Sequence, residues 1–105
     1  MANLANDEKQ MFALVGLQSF NGSFKLTQPL CELLGISAPR IQEECHKKGW
    51  NEEAWTTAVV LAYLVKKMRH LEGDWDLIAE KSKAWLAQCH ASTTEEMFKN
   101  ALSIF

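Results

Sequence analysis

Trp50-Asn51-Glu52-Glu53-Ala54-Trp55-Thr56-Thr57-Ala58-Val59-Val60-Leu61-Ala62-Tyr63-Leu64 leads through a short charged link to Asp74-Trp75-Asp76-Leu77-Ile78, and then to Lys83-Ala84-Trp85-Leu86. Asn51 is a good N-cap, and Glu52 and Glu53 face the positive end of the helix dipole. One apolar stripe runs Trp55, Ala58, Ala62 and Val65; a second runs Leu61, Leu64, Met68 and Leu71. Together they cover more than half the circumference, so the helix predicted over 51–72 is central and contacted from two sides. Ala58 and Ala62 permit close approach by a neighbour. Gly73 is the expected stop and Asp74 the expected cap of the next helix, 75–90, which carries Trp75, Ile78, Ser82, Trp85 and Cys89 at alternating spacings of three and four. Large aromatics at these spacings predict two helices that recognise each other in a core.

Toward the N-terminus, residues 1–6 read as a tail and 7–105 as a single helical domain. Met11, Leu14, Val15 and Gln18 share one face of a first helix that begins at Asp7 and ends at Ser19-Phe20-Asn21-Gly22-Ser23, where Asn-Gly supplies a positive backbone angle. Thr27 caps a short second helix with Pro29 in its first turn and Gly35 as its stop. Ser37 caps a third, with Pro39 in its first turn and Gly49 as its stop. Trp50, just before Asn51, either staples onto the following helix or stays exposed. Toward the C-terminus, Ser92 with Glu95, or Thr93 with Glu96, forms a capping-box pattern for a last helix bearing Phe98, Ala101, Leu102 and Phe105. No segment alternates with period two. The fold class is therefore all-α, a compact bundle of about five to six helices with 51–72 and 75–90 at its centre. The outer helices are expected to close the core; otherwise Met11, Phe12, Phe98 or Phe105 would form a patch for another protein or another copy.

At 105 residues and 48% hydrophobic composition the chain holds one domain with a real core, and a net charge of -2 supplies no global basic field for nucleic acid or anionic lipid. The basic pairs Lys47-Lys48 and Lys66-Lys67, with Arg69, lie near helix C-termini, where cations oppose the dipole. Cys31, Cys45 and Cys89 are odd in number and widely spaced, which argues against a disulfide framework and for a reducing, cytoplasmic compartment. Asp7, Glu8 and Lys9 interrupt any signal-peptide pattern, and Ala54–Val65 is too short to span a bilayer.

Chemistry is thinly represented. Cys45-His46 and Cys89-His90, with His70, are the only tempting metal set, but adjacent helical residues point about 100° apart, and the CxxC and HxxxH spacings are absent. There is no phosphate loop, HExxH or GxSxG, and Asp74 and Asp76 flank Trp75 without forming a convincing acid pair. The expectation is no enzyme, no cofactor and no metal. An enzyme would instead show a cleft in which a cysteine or carboxylate titrates abnormally.

Two blocks carry a family resemblance. They are Leu17-Gln18-Ser19-Phe20-Asn21-Gly22-Ser23-Phe24-Lys25-Leu26-Thr27 with Leu30, Leu33, Leu34 and Gly35, and Trp55–Leu64 followed by Asp74–Lys81 and Ala84-Trp85-Leu86. Over roughly residues 10 to 90 the chain resembles the helical C-terminal region of the VIT-plus-von-Willebrand-A-domain proteins and the related region of vault poly(ADP-ribose) polymerase. That family usually has Trp where this chain has Phe24, and often Trp at Tyr63. The resemblance implies a helical docking module whose partner is major vault protein, without ADP-ribosyl transfer or metal-dependent adhesion. Gln18, Gly22, Trp55, Ala58, Ala62, Trp75, Ile78 and Trp85 are expected to be structural, with Gln18 hydrogen-bonded to the Asn21-Gly22 turn. The resemblance also implies that Phe24 packs the helices together with Trp55, Trp75 and Trp85; Phe20 and Phe24, beside the turn, are the candidate contacts, the alternative being that they close the end of the bundle. The alternative is a structural domain that packs on its parent protein or on a second copy. Gln18…Gly22-Ser23-Phe24 also has the QxxxGxW spacing of helical terpene-cyclase barrels, but one such turn cannot build a many-helix barrel.

Overall fold

The computed structural model describes residues 4–105: six α-helices, one 3-10 turn and, among the described residues, no strand. Helices α1 (Leu4–Val15), α2 (Gln28–Leu34), α3 (Ala38–Lys48), α4 (Glu52–Lys67), α5 (Glu72–His90) and α6 (Thr94–Leu102) follow in order, with the 3-10 turn Arg69–Leu71 between α4 and α5. Helix α1 thus opens three residues ahead of Asp7, and residues 1–3 of the expected tail lie outside the described residues.

Three of the expected caps are made. Thr27 and Ser37 accept from the amides of Leu30 and Arg40, and Asn51 accepts from that of Ala54 at 2.9 Å. Gly35 and Gly49 close α2 and α3 at φ of 73° and 70°. Trp50 resolves as a staple: its ring centroid lies 5.0 Å from that of Trp55, which is the N4 position relative to the Asn51 cap.

Helix α4 is the axis of the bundle. Every residue from Ala54 to Leu64 is buried, and α3, α5 and α6 all pack on it. Trp55 donates its indole N–H to the Ile41 carbonyl at 3.0 Å, tying α3 to α4. Gln10 of α1 reaches both the Leu33 carbonyl, at 2.9 Å, and the Tyr63 hydroxyl, so α1 is pinned to α2 and α4 together. Met11 is fully buried, while Phe98 and Phe105 pack at the edge of the core, the Phe105 ring standing edge-on to Tyr63. Phe12, in contrast, is 54% exposed.

The junction of the two central helices differs from expectation. Helix α4 ends at Lys67, not beyond Leu71, and Gly73 lies inside the first turn of α5. Trp75 is the reason: its indole N–H donates to the Met68 carbonyl at 2.7 Å, holding the 3-10 turn against the start of α5. Asp74 consequently makes no cap, and with Glu72 it supplies negative charge to the first turn. The side chains fully buried from α5 are Trp75, Ala79, Ser82 and Leu86; Ile78 and Trp85 lie half-buried on the flank and Cys89 is exposed. The expected capping box of α6 is also absent. The hydroxyls of Thr93 and Thr94 donate backward to the His90 carbonyl, satisfying the end of α5 in the short link to α6.

The 18–24 segment is docked as a unit. Gln18 donates from Nε2 to the Ile78 carbonyl at 2.9 Å and to Ser82 Oγ at 3.0 Å, and lies 3.3 Å from the Gly22 carbonyl. Ser82 in turn donates to the Gly22 carbonyl at 2.6 Å. The Phe24 amide donates to Thr57 Oγ1, which donates to the Glu53 carbonyl. Gly22 has φ of 101°, and a Cβ there would stand 2.6 Å from the Lys81 carbonyl oxygen.

Backbone strain and a main-chain clash therefore coincide at Gly22, and Gly22→Ala is expected to lower unfolding free energy by about 3 kcal/mol in denaturant titration. Thr56 Oγ1 is buried without a hydrogen-bond partner among the described residues. Thr56→Val keeps the shape and removes the orphan hydroxyl, so the same titration should show a gain of about 1 kcal/mol.

Candidate protein-docking surfaces

Helices α5 and α6 both lean on α4 and touch each other far less than either touches α4. Between them, beside the link at Ala91 and Thr94, lies an apolar groove of about 570 Å³. Leu61 and Val65 of α4 form its floor, Leu86 and Ala87 of α5 one wall, and Phe98 of α6 the other; Lys83 and Glu95 stand on opposite rims. Sequence reading placed Leu61, Val65 and Phe98 on apolar stripes but not the opening between them. Whether two apolar faces meet or diverge depends on the three-residue link 91–93, whose geometry leaves no periodic signal.

A second surface lies beside the docked turn. Phe20 is 95% exposed and Leu77 is 81% exposed, and they are the most exposed large apolar side chains described. Lys81 Nζ lies 5.5 Å from the centre of the Phe20 ring, and Lys81 is one helical turn from Leu77.

The expected pair of contacts therefore separates. Phe20 points into solvent, but Phe24 is 0% exposed and cannot be offered to a partner. Its amide is held by Thr57, which draws the ring under the turn into the core. Of the residues expected to be structural, Gly22, Trp55, Ala58, Ala62 and Trp75 are buried, whereas Gln18, Ile78 and Trp85 are partly buried. Gln18, Gly22 and Ile78 meet at the turn; Trp55 faces α3, and Trp85 stacks edge-on against His90 with centroids 5.2 Å apart. Sequence reading missed Ser82 and Thr57 as the turn's polar anchors, although Ser82 sat on the correct face of α5.

Among the described residues, no group of three His, Cys, Asp or Glu side chains is placed to hold a metal ion. All three cysteines are free. Burial pushes the thiols of Cys31 and Cys45 up, with Glu32 and Glu52 adding to the effect, and Cys45 donates to the Trp50 carbonyl at 3.2 Å. This is opposite in direction to the activation of a nucleophilic thiol. Burial likewise lifts the Tyr63 phenol, against the pull of its Gln10 hydrogen bond. No helix among the described residues is long and apolar enough to cross a membrane.

The chain is similar to von Willebrand factor A domain-containing protein 5A from Mus musculus, with 30% identity over 94 residues, and from Homo sapiens, with 26% over 96. These matches cover 90% and 91% of the chain but only 12% of each relative. They agree with the von-Willebrand-A-domain side of the resemblance in the sequence. No family model matches the chain, and no solved structure matches it significantly.

Cys89 alone should react rapidly with a thiol reagent on the folded protein near neutral pH, Cys31 and Cys45 becoming reactive only on unfolding. Fast native labelling at either buried site would contradict their packing. The raised thiols also bind protons more tightly in the folded state than in the unfolded one. Their contribution is whole below the ordinary thiol value of 9.0 and is lost as pH rises beyond it, so urea midpoints should fall on the alkaline side.

Proposed function

We propose that this domain is a non-catalytic docking module that receives an amphipathic helix from a partner protein in the groove between α5 and α6. The observation that carries this reading is the groove itself: an apolar floor and walls with Phe98 half-buried at the edge, bounded by charges of opposite sign. A partner helix laying Leu- or Phe-like side chains at i, i+3, i+4 and i+7 onto Leu61, Val65 and Phe98 would remove that surface from water. Lys83 and Glu95 would set its orientation by favouring an acid on the α5 side and a base on the α6 side.

Major vault protein is the proposed partner, on the strength of the resemblance to the vault-binding module. The free cysteines suit a reducing, cytoplasmic setting of that kind. A structural alternative is favoured by a different fact: the chain spans 12% of the relatives it matches. On that reading the groove is filled in cis by another part of a parent protein.

Co-purification of the domain with assembled vaults tests the proposal, using wild type and Val65→Lys. A lysine near the C-terminal end of α4 suits the dipole and places a cation on the groove floor. The expected result is retention of wild type and at least about ten-fold weaker retention of the folded variant, an affinity loss of roughly 1.4 kcal/mol. Equal retention would move the contact off the groove. Failure of wild type to bind vaults would remove that partner and favour the structural alternative.

A further inference from the structure

We infer that the outer face of α5, with Phe20 beside it, joins two copies of this chain, packed antiparallel about a two-fold axis between Glu80 and Lys81. Leu77, Lys81, Ala84 and Gln88 recur at i, i+4, i+7 and i+11 and are all exposed, so they form one stripe along the helix. Phe20 belongs to the same surface through its contact with Lys81. The most exposed large apolar side chains among the described residues therefore stand together on a face that none of the described residues covers.

Charge order identifies the occupant. On this side of α5 the exposed acid Glu80 is followed directly by the exposed base Lys81, while Lys83 belongs to the rim of the groove. A second copy laid antiparallel about that axis sets Glu80 against Lys81 twice over, whereas a parallel copy in register would set Glu80 against Glu80 and Lys81 against Lys81. A two-fold contact is self-complementary, so one arrangement must satisfy both copies at once. With the axis between residues 80 and 81, Glu80 faces Lys81 of the second copy and Lys81 faces its Glu80. Leu77 falls opposite the small side chain of Ala84 of the second copy, one turn from the Lys81 on which Phe20 rests. Each copy's two apolar anchors thus shield a pair of opposite charges. A single helix pair with an aromatic flank buries less than the roughly 1,200 Å² of a stable interface, so the dimer should be weak and concentration-dependent.

This face and the groove lie on different sides of α5, so the docking proposal and this one fail independently. Sedimentation velocity over a concentration series is the test. Wild type should rise from monomer toward dimer, and Leu77→Glu, an exposed helical substitution, should remain monomeric while keeping its helical circular dichroism. Glu80→Lys should weaken association at least about five-fold by facing lysine with lysine, and the double swap Glu80→Lys/Lys81→Glu should restore it. Wild type monomeric up to about 1 mM overturns the inference on the scale of weak complexes. A dimer indifferent to Leu77→Glu overturns the face, and a dimer that the double swap fails to restore overturns the antiparallel register.

Discussion

The carbonyl of Gly22 is where three parts of this molecule are brought into register. It accepts the Ser82 hydroxyl and lies beside the Gln18 amide, while Gln18 also reaches the Ile78 carbonyl. Two polar side chains thus replace the water that a buried turn would otherwise lose, and each donor has an acceptor. The approach is close enough that the Lys81 carbonyl occupies the place of a side chain at residue 22. Glycine is required there for its backbone angle and for the missing carbon alike.

From this anchor the rest of the core follows. With the turn seated on α5, the Phe24 amide meets Thr57 and its ring enters the bundle beside α4. Helix α4 is then enclosed on every side from Ala54 to Leu64, which explains why its sequence shows two apolar stripes instead of one. Gln10, through the Tyr63 hydroxyl, and Trp55, through the Ile41 carbonyl, add well-aimed hydrogen bonds to otherwise apolar contacts, fixing α1 and α3 against that axis. At position 63 the tyrosine hydroxyl supplies Gln10 with an acceptor that an indole at the same place would lack.

The sequence was most legible where local chemistry alone decides. Thr27, Ser37 and Asn51 cap helices, Gly35 and Gly49 end them, and the Trp50–Trp55 staple is written in its spacing. Legibility failed where a tertiary contact overrides a local signal. Gly73 resembles a helix stop, but Trp75 closes the junction from the other side by binding Met68, and the glycine is absorbed into α5. Thr93 resembles a cap, but its hydroxyl serves the preceding helix. Phe20 and Phe24 sit in one irregular segment without a period, so periodicity could not tell the exposed ring from the buried one; only the family's Trp at position 24 pointed to the ring that is buried. The groove was illegible for a related reason: its residues were on apolar faces, and the divergence of those faces is a property of the link.

The bonds from Gln18 and Gly22 to Ile78 and Ser82 cross about sixty positions of chain. Contacts so far apart along the chain close late, because the entropy of a long loop is lost before they form. During synthesis the N-terminal half therefore emerges with Gln18 and the Gly22 carbonyl of its turn without their α5 partners, and stays so until α5 has left the ribosome. At translation rates of about 5–20 residues per second this waiting period lasts seconds, far longer than helices take to form. The nascent chain is consequently open to capture or mispairing at this turn, and the seating of the turn is timed by the arrival of Ser82, ahead of the docking of α6 on α4.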